Sequence, residues 1–264
     1  METPRDGRDN EAYFRHEEYL AGFVPLSLWY ASKASEQERE PLGQTIATRT
    51  NLYRNSIFDD CGIPSDRSIE DDRWRGVLEE IEELHGQLLK KCSTSSFEKK
   101  ATEHLRPYIE PTIERSLSRY QEVIARSPFG CWRYDIVGNV AKIHIANAYR
   151  PESPLGSRFG DFHRSLGEML RRVKDENPTV DLLFCGSWMN SIEKFQNLFP
   201  KEWIESGKRI IETGPGLGEW GQFMDRQGGF HEGNGIQFRS TGHMPFPCIE
   251  CTARLDETID HLGH

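Results

Sequence analysis

The sequence predicts an α+β or α/β protein: a helical N-terminal part, residues 1–128, followed by an α/β part, residues 129–264, with a small mixed sheet packed by helices. Three observations carry this expectation. Before residue 128 the apolar residues recur at helical spacing. At Ser127-Pro128-Phe129-Gly130 that period stops, and strand-like alternation takes over. Beyond it, short apolar runs alternate with amphipathic stretches, as strands do with the helices that cover them.

Taken in order, Tyr13 to Tyr30 is a helix candidate interrupted at Pro25. Pro41 to Asp60 keeps helical spacing through Leu42, Ile46, Tyr53 and Ile57, and Cys61-Gly62-Ile63-Pro64 supplies a stop. In Ile69 to Cys92 the stripe Val77, Leu78, Ile81, Leu84, Leu88 and Leu89 faces away from Glu79, Glu80, Glu82 and Glu83. Ser93 to Ser96 reads as a flexible joint. A helix from about Pro111 through Ile124 follows, with proline suited to its first turn. Trp132 to Ala148 alternates on both sides of Gly138-Asn139, which predicts a hairpin. Phe159 to Glu176 is amphipathic, and Val180 to Cys185 is apolar enough for a strand covered on both faces. A short helix near Ile192 to Phe199, a strand near Arg209 to Glu212, a glycine-rich loop, an irregular tail and a final helix near Leu255 to Leu262 complete the chain.

Composition narrows the function. The 264 residues carry 42 acidic and 33 basic side chains, a net charge of −9, so no overall positive field attracts a polyanion. Nucleic acid and membrane are therefore not expected as partners, and a small-molecule substrate is. The polar, acidic start lacks the pattern of a secretory signal, which leads to the expectation of a soluble, cytoplasmic protein with reduced thiols.

Two motifs offer chemistry. In RIIETGPGLGEWGQF, Arg209 to Phe223, two apolar residues, an acid and the glycines Gly214, Gly216 and Gly218 resemble the first motif of S-adenosylmethionine methyltransferases, in which glycines let backbone approach a cofactor. Too few residues follow for the usual strand order, so this reading requires a permuted enzyme. In FCGSWMNS, Phe184 to Ser191, a strand ends in small and polar residues, and ligands gather at such carboxyl ends. Ser187 and Asn190 either line a site or cap the next helix. Metal ligation is not expected. Cys248-x-x-Cys251 lacks a second pair, Glu82-x-x-His85 lacks its counterpart, and Glu257 with His261 suits a surface pair.

An Ile143-His144-Ile145 strand, a helix, a strand running into Cys185-Gly186-Ser187-Trp188, a Phe199-Pro200 step and a late Phe238 segment resemble Gcn5-related N-acetyltransferases that carry a helical N-terminal domain. The similarity covers about residues 132 to 262. It implies an acyltransferase-like C-terminal part with acyl-CoA as cofactor. That family's pyrophosphate loop has Arg or Gln three residues before its first glycine, and counting back from Gly214 or Gly216 gives Ile211 or Thr213 here.

The leading expectation is thus a transferase moving an acyl group to an amine. His231, in a glycine-rich polar loop, is the expected general base ahead of His144, and Ser187 is a second catalytic candidate. Trp188 and Trp220 would wall the substrate pocket, Asn190, Gln222 and Arg239 would supply polar anchors, and Gly214, Gly216 and Gly218 would approach a cofactor. The rival readings are a non-catalytic interaction protein, in which both tryptophans are core, and the permuted S-adenosylmethionine-dependent methyltransferase.

Overall fold

A computed structural model of the chain describes residues 7–59, 64–89, 94–210 and 213–263. It is an α+β fold: helices dominate the first part, and the strands of a small mixed sheet all follow residue 131. The chain folds into two compact units, and the division is not the one the sequence suggests. Residues 1–118 and 212–245 form the first unit, while 119–211 and 246–264 form the second. The expected boundary near 128 thus gives way to a chain that returns to its helical unit after building most of the sheet.

The first unit contains α1 (Gly7–Glu38), α2 (Leu42–Arg49), α3 (Asp72–Leu89) and α4 (Thr94–Ile109), together with the start of α5 (Ile113–Ala125). Pro25 does not interrupt α1. Its missing hydrogen bond costs about 3 kcal/mol in a helix interior, but Phe23, Val24, Leu26 and Leu28 around it are all buried, and that packing holds the helix through the proline. The helix expected over 41–60 stops at Thr50, whose backbone is extended and whose hydroxyl donates to the Ile46 carbonyl at 2.7 Å. The expected stop at 61–63 lies outside the described residues, as does Cys92. The expected joint at Ser93–Ser96 is instead, from Thr94 on, the first turn of α4.

What returns 213–245 to this unit is aromatic packing. Trp220, Phe223 and Phe238 are fully buried in the same core as Phe23, Leu26 and Ile46. Phe230 lies against Gly22 of α1 and Gly235 of α10 (Glu232–Thr241), where an added Cβ on Gly235 would stand 2.7 Å from the ring. Glycine is required there by close approach, not by backbone conformation.

The second unit is built on a five-stranded sheet of order β1-β2-β3-β5-β4. Strands β1 (Trp132–Val137) and β2 (Val140–Ile145) form the expected antiparallel hairpin, with Gly138 in the left-handed region at φ 62°. A crossover through α6 (Phe159–Glu176) leads to β3 (Leu182–Ser187), parallel to β2. Two short helices, α7 (Glu193–Gln196) and α8 (Lys201–Glu205), precede the two-residue edge strand β4 (Lys208–Arg209). After the first unit's α9 (Leu217–Trp220) and α10, β5 (Ile249–Arg254) inserts between β3 and β4, antiparallel to both, and α11 (Leu255–Leu262) ends the chain. The stretch read as an irregular tail therefore holds a helix and a central strand, and Cys251 lies in that strand rather than near a bend.

One sheet face is dry. Trp132, Ala141, Ile143, Leu183, Cys185, Cys251 and Ala253 are buried there with Phe162, Leu166, Met169 and Leu170 of α6. The other face is not, so the expectation that β3 is covered on both sides is corrected: Leu183, Cys185 and Ser187 are buried, but Leu182, Phe184 and Gly186 only partly. On that face long side chains stand in for a helix. The Lys142 ammonium lies 5.8 Å from the Phe184 ring centre, and the Glu250 stem lies beside Gly186. Among the described residues no helix is long and apolar enough to cross a membrane.

Candidate functional site

In the second unit the ladder of the sheet is incomplete. β2 and β3 are each six residues long, yet they pair only at Val140↔Leu182, Ala141↔Leu183 and Lys142↔Phe184. Beyond that point β2 remains paired to β1 and β3 to β5, but the two parallel strands do not pair with each other. Their carboxyl halves, Ile143–Ile145 and Cys185–Ser187, therefore face one another without a ladder, and backbone amides and carbonyls on such edges need partners. The loop 146–158 and the first turn of α6, which no side chain caps, follow β2 at this same end.

His144 stands on the open face in the unpaired part of β2. Its Nε2 is 2.9 Å from Oδ2 of Asp135 on β1, which fixes the ring's orientation. Both side chains are exposed, the histidine by 48%. Level with it, β3 offers Gly186 and then Ser187 and Trp188.

The residues expected at this strand end divide into structural and accessible ones. The Ser187 hydroxyl accepts the Met189 N–H at 3.1 Å, capping a single 3-10 turn at 188–191. Asn190 is fully buried and committed on every side: its amide donates to the carbonyls of Cys185 at 2.9 Å and Ile249 at 2.7 Å, and its Oδ1 accepts from Trp203 Nε1 at 3.0 Å. Asn190 is thus a strut across the β3–β5 end. Trp188 is half-buried, its ring 5.6 Å from that of Phe246.

The other expected residues, His231, Trp220, Gln222, Arg239 and the glycines, belong to the first unit. The expected site residues are thus divided between the two units. Within the first unit the glycine segment is anchored from inside. The Trp220 indole N–H is shared between the carbonyls of Arg49 at 3.1 Å and Gly214 at 3.0 Å, and Asn51 donates to the Pro215 carbonyl. The Gly214 N–H, the kind of amide a cofactor would need, donates to the Glu219 carboxylate. Gly216 has an ordinary φ of −78° and precedes α9, a helix of one turn that also contains Gly218. The Gln222 amide donates to the Glu219 carbonyl at 2.8 Å. His231 accepts the Asn234 N–H on Nδ1 at 3.2 Å, the N-cap of α10. Arg239 pairs with Glu98 at 2.8 Å and lies over Trp29.

Glu219, inside the glycine segment, is not among the expected site residues. It is 7% exposed, and burial pushes its carboxyl up to about 7 against the opposing pull of the Gly214 N–H. Its neighbour Trp220 stands out in the sequence as an aromatic, while nothing in the spacing shows a carboxylate to be buried. Nearby, the Tyr30 hydroxyl is raised by burial and bonds Thr213 and Arg49, and Arg49 in turn pairs with Glu38 and Glu40.

The remaining histidine candidates are structural. His85 is buried against Phe97 with Nε2 2.9 Å from the Ser32 hydroxyl, and burial lowers its pKa. Glu82 turns away from it to accept the Gly43 N–H. Cys185 and Cys251 face each other across β3 and β5, and burial pushes their thiols up to about 12 and 11. Among the described residues no group of three or more His, Cys, Asp or Glu side chains is arranged to hold a metal. No protein-family model, curated protein or solved structure matches this chain.

Proposed function

We propose that the second unit transfers an acyl group from an acyl-CoA-type thioester to an amine, at the carboxyl ends of β2 and β3. The observation that carries this reading is the loss of pairing between the two parallel strands after Lys142 and Phe184. A thin chain bearing amide groups, such as the arm of acyl-CoA, satisfies unpaired strand edges as another strand would. Helix α6 begins at the same sheet end, and no side chain caps its first turn, so that, beyond the Phe159 N–H bonded to the Gly156 carbonyl, this turn suits the phosphates of such a carrier. The resemblance of residues 132–262 to N-acetyltransferases points the same way.

In the reaction the amine nitrogen attacks the thioester carbonyl, a C–N bond forms and the C–S bond breaks, and the thiolate leaves with the bonding electrons. His144, oriented by Asp135, takes the amine's proton and returns it to the thiolate. His144, at the strand ends themselves, assumes the role expected of His231, whose Nδ1 is engaged in capping α10.

Titration calorimetry with acetyl-CoA, followed by turnover of His144→Ala, tests the reading. The expected result is binding by both proteins, with turnover of the variant down by about 10²- to 10⁴-fold. Absence of acetyl-CoA binding at millimolar concentration, or full turnover by the variant, overturns it.

A further inference from the structure

The sheet of the second unit ends in two edge strands, β1 and β4, and they differ. β4 offers only two residues, Lys208 and Arg209, both exposed and both cationic, which discourages pairing with another chain. β1 offers six, Trp132–Val137, and at its tip the apolar side chains of Ile136 and Val137 are 37% and 53% exposed. Only β1 is long enough to take a further strand.

The ladder shows which backbone groups of β1 point outward. The hairpin closes at Val137↔Val140, and at the other end the Ala146 N–H bonds the Cys131 carbonyl at 2.9 Å. Alternation between these ends turns the amides and carbonyls of Arg133, Asp135 and Val137 toward β2, and those of Trp132, Tyr134 and Ile136 outward. At Trp132 the outward groups are engaged locally, since its N–H donates to the Phe129 carbonyl and its carbonyl accepts from the Ser127 hydroxyl. The outward groups of Tyr134 and Ile136 have no protein partner among the described residues.

Charge indicates what pairs there. Arg133 and Asp135 flank Tyr134 on the sheet face away from α6, so Arg-Tyr-Asp is self-complementary about a two-fold axis through Tyr134. In that antiparallel register Tyr134 bonds its own copy, and each Arg133 comes opposite the partner's Asp135 in a close, non-hydrogen-bonded pair, where opposite charges attract. Asp135 has capacity for this: its Oδ2 holds His144 at 2.9 Å, its Oδ1 makes no hydrogen bond among the described residues, and its side chain is exposed. On the other side Asp135 faces Lys142 of β2, so the carboxylate would stand between two cations. Ile136 comes opposite the partner's Trp132, whose carbonyl keeps a second lone pair for the Ile136 N–H. Sliding one copy by two residues would set Asp135 against Asp135, which like-charge repulsion disfavours.

We propose that a second copy of this chain pairs edge to edge along β1, in the antiparallel register centred on Tyr134, so that two sheets become one. The interface is independent of the acyl-transfer reading, and sedimentation equilibrium of the full chain measures it. Wild type is expected to dimerise with a Kd at or below about 100 μM, as a small interface gives. Arg133→Asp and Asp135→Arg each set like charges opposite one another at two places, and each should weaken the dimer by about tenfold or more. Mixed in equal amounts, the same two variants are complementary again and should associate at least as tightly as wild type. Asp135→Asn, which removes the attraction without adding repulsion, should weaken the dimer less than Asp135→Arg does. Should Arg133→Asp lose its melting transition, the two Asp135 variants carry the test. A wild-type monomer at that concentration, a dimer indifferent to the reversals, or folded variants that stay apart when mixed overturns the proposal. A dimer strengthened by Asp135→Asn sets Asp135 against its own copy and overturns the Tyr134-centred register.

Discussion

The glycine segment of the first unit and the strand ends of the second differ in how their polar groups are spent. Gly214 to Phe223 looks the more like a ligand loop in sequence, yet its amide, its indole and its Gln222 side chain are bonded within the unit. The β2–β3 ends look ordinary in sequence, a histidine between isoleucines and a glycine after a cysteine, yet their facing edges lack a ladder. Internal satisfaction stabilises a fold, whereas groups left without partners are what a ligand can use.

The largest expected effect would break the contrast outright. His144→Ala should lower acyl transfer about 10²- to 10⁴-fold at nearly constant melting temperature, whereas His231→Ala should leave turnover intact and cost about 1 kcal/mol as a lost helix cap. If steady-state kinetics gave the reverse, the chemistry would lie in the first unit.

Next in size is the core role of Trp220. Trp220→Ala should destabilise the protein by about 3–5 kcal/mol in denaturant unfolding, because it opens a cavity and orphans the Arg49 and Gly214 carbonyls. A ligand-facing tryptophan would instead cost affinity and little stability.

Glu219 sharpens the comparison through pH. Its folded-state pKa, about 7, lies above the 4.5 of an ordinary glutamate. The folded form therefore binds the proton more tightly. The stabilisation is fully present below pH 4.5 and is lost as pH rises through 7, by at most about 3 kcal/mol. Glu219→Gln should remove this component, so that thermal melts of wild type and variant diverge between about pH 4.5 and 7. Parallel curves would mean that the carboxylate is not held in a dry site.

The smallest effect is expected at Gly216. Its backbone is ordinary, and an added Cβ would meet nothing nearer than the Gly218 nitrogen at 3.9 Å. Gly216→Ala should leave both melting temperature and acetyl-CoA affinity unchanged. A selective loss of cofactor binding would restore the glycine segment as a ligand loop.

Local physics is legible in the sequence wherever a period can be read. Phe159–Glu176 and Leu255–Leu262 have the bounds their spacing predicts, and the hairpin turns at Gly138-Asn139 as expected, because each depends on neighbours a few residues away. The helix α4 carries its stripe in Phe97, Ala101, Leu105 and Ile109, but the small Ala101 and Pro107 near its end obscure it, and the strand β5 buries only the small Cys251 and Ala253. Of the site, His144 and the Phe184-to-Ser191 strand end are visible as residue types, but the burial of Glu219 is not. A carboxylate's environment is made by side chains distant in sequence.

By itself the sequence determined the helical first part, the change of period near residue 128 and the strand–helix alternation that follows, since hydrophobic spacing dictates which face of each element leaves water. Tertiary structure alone decided that residues 213–245 rejoin the helical core and that β2 and β3 part after three pairs. The physical reason is that close packing of Trp220, Phe230 and Phe238, strand register, and the satisfaction of buried polar groups are properties of contacts between segments, which no local spacing specifies.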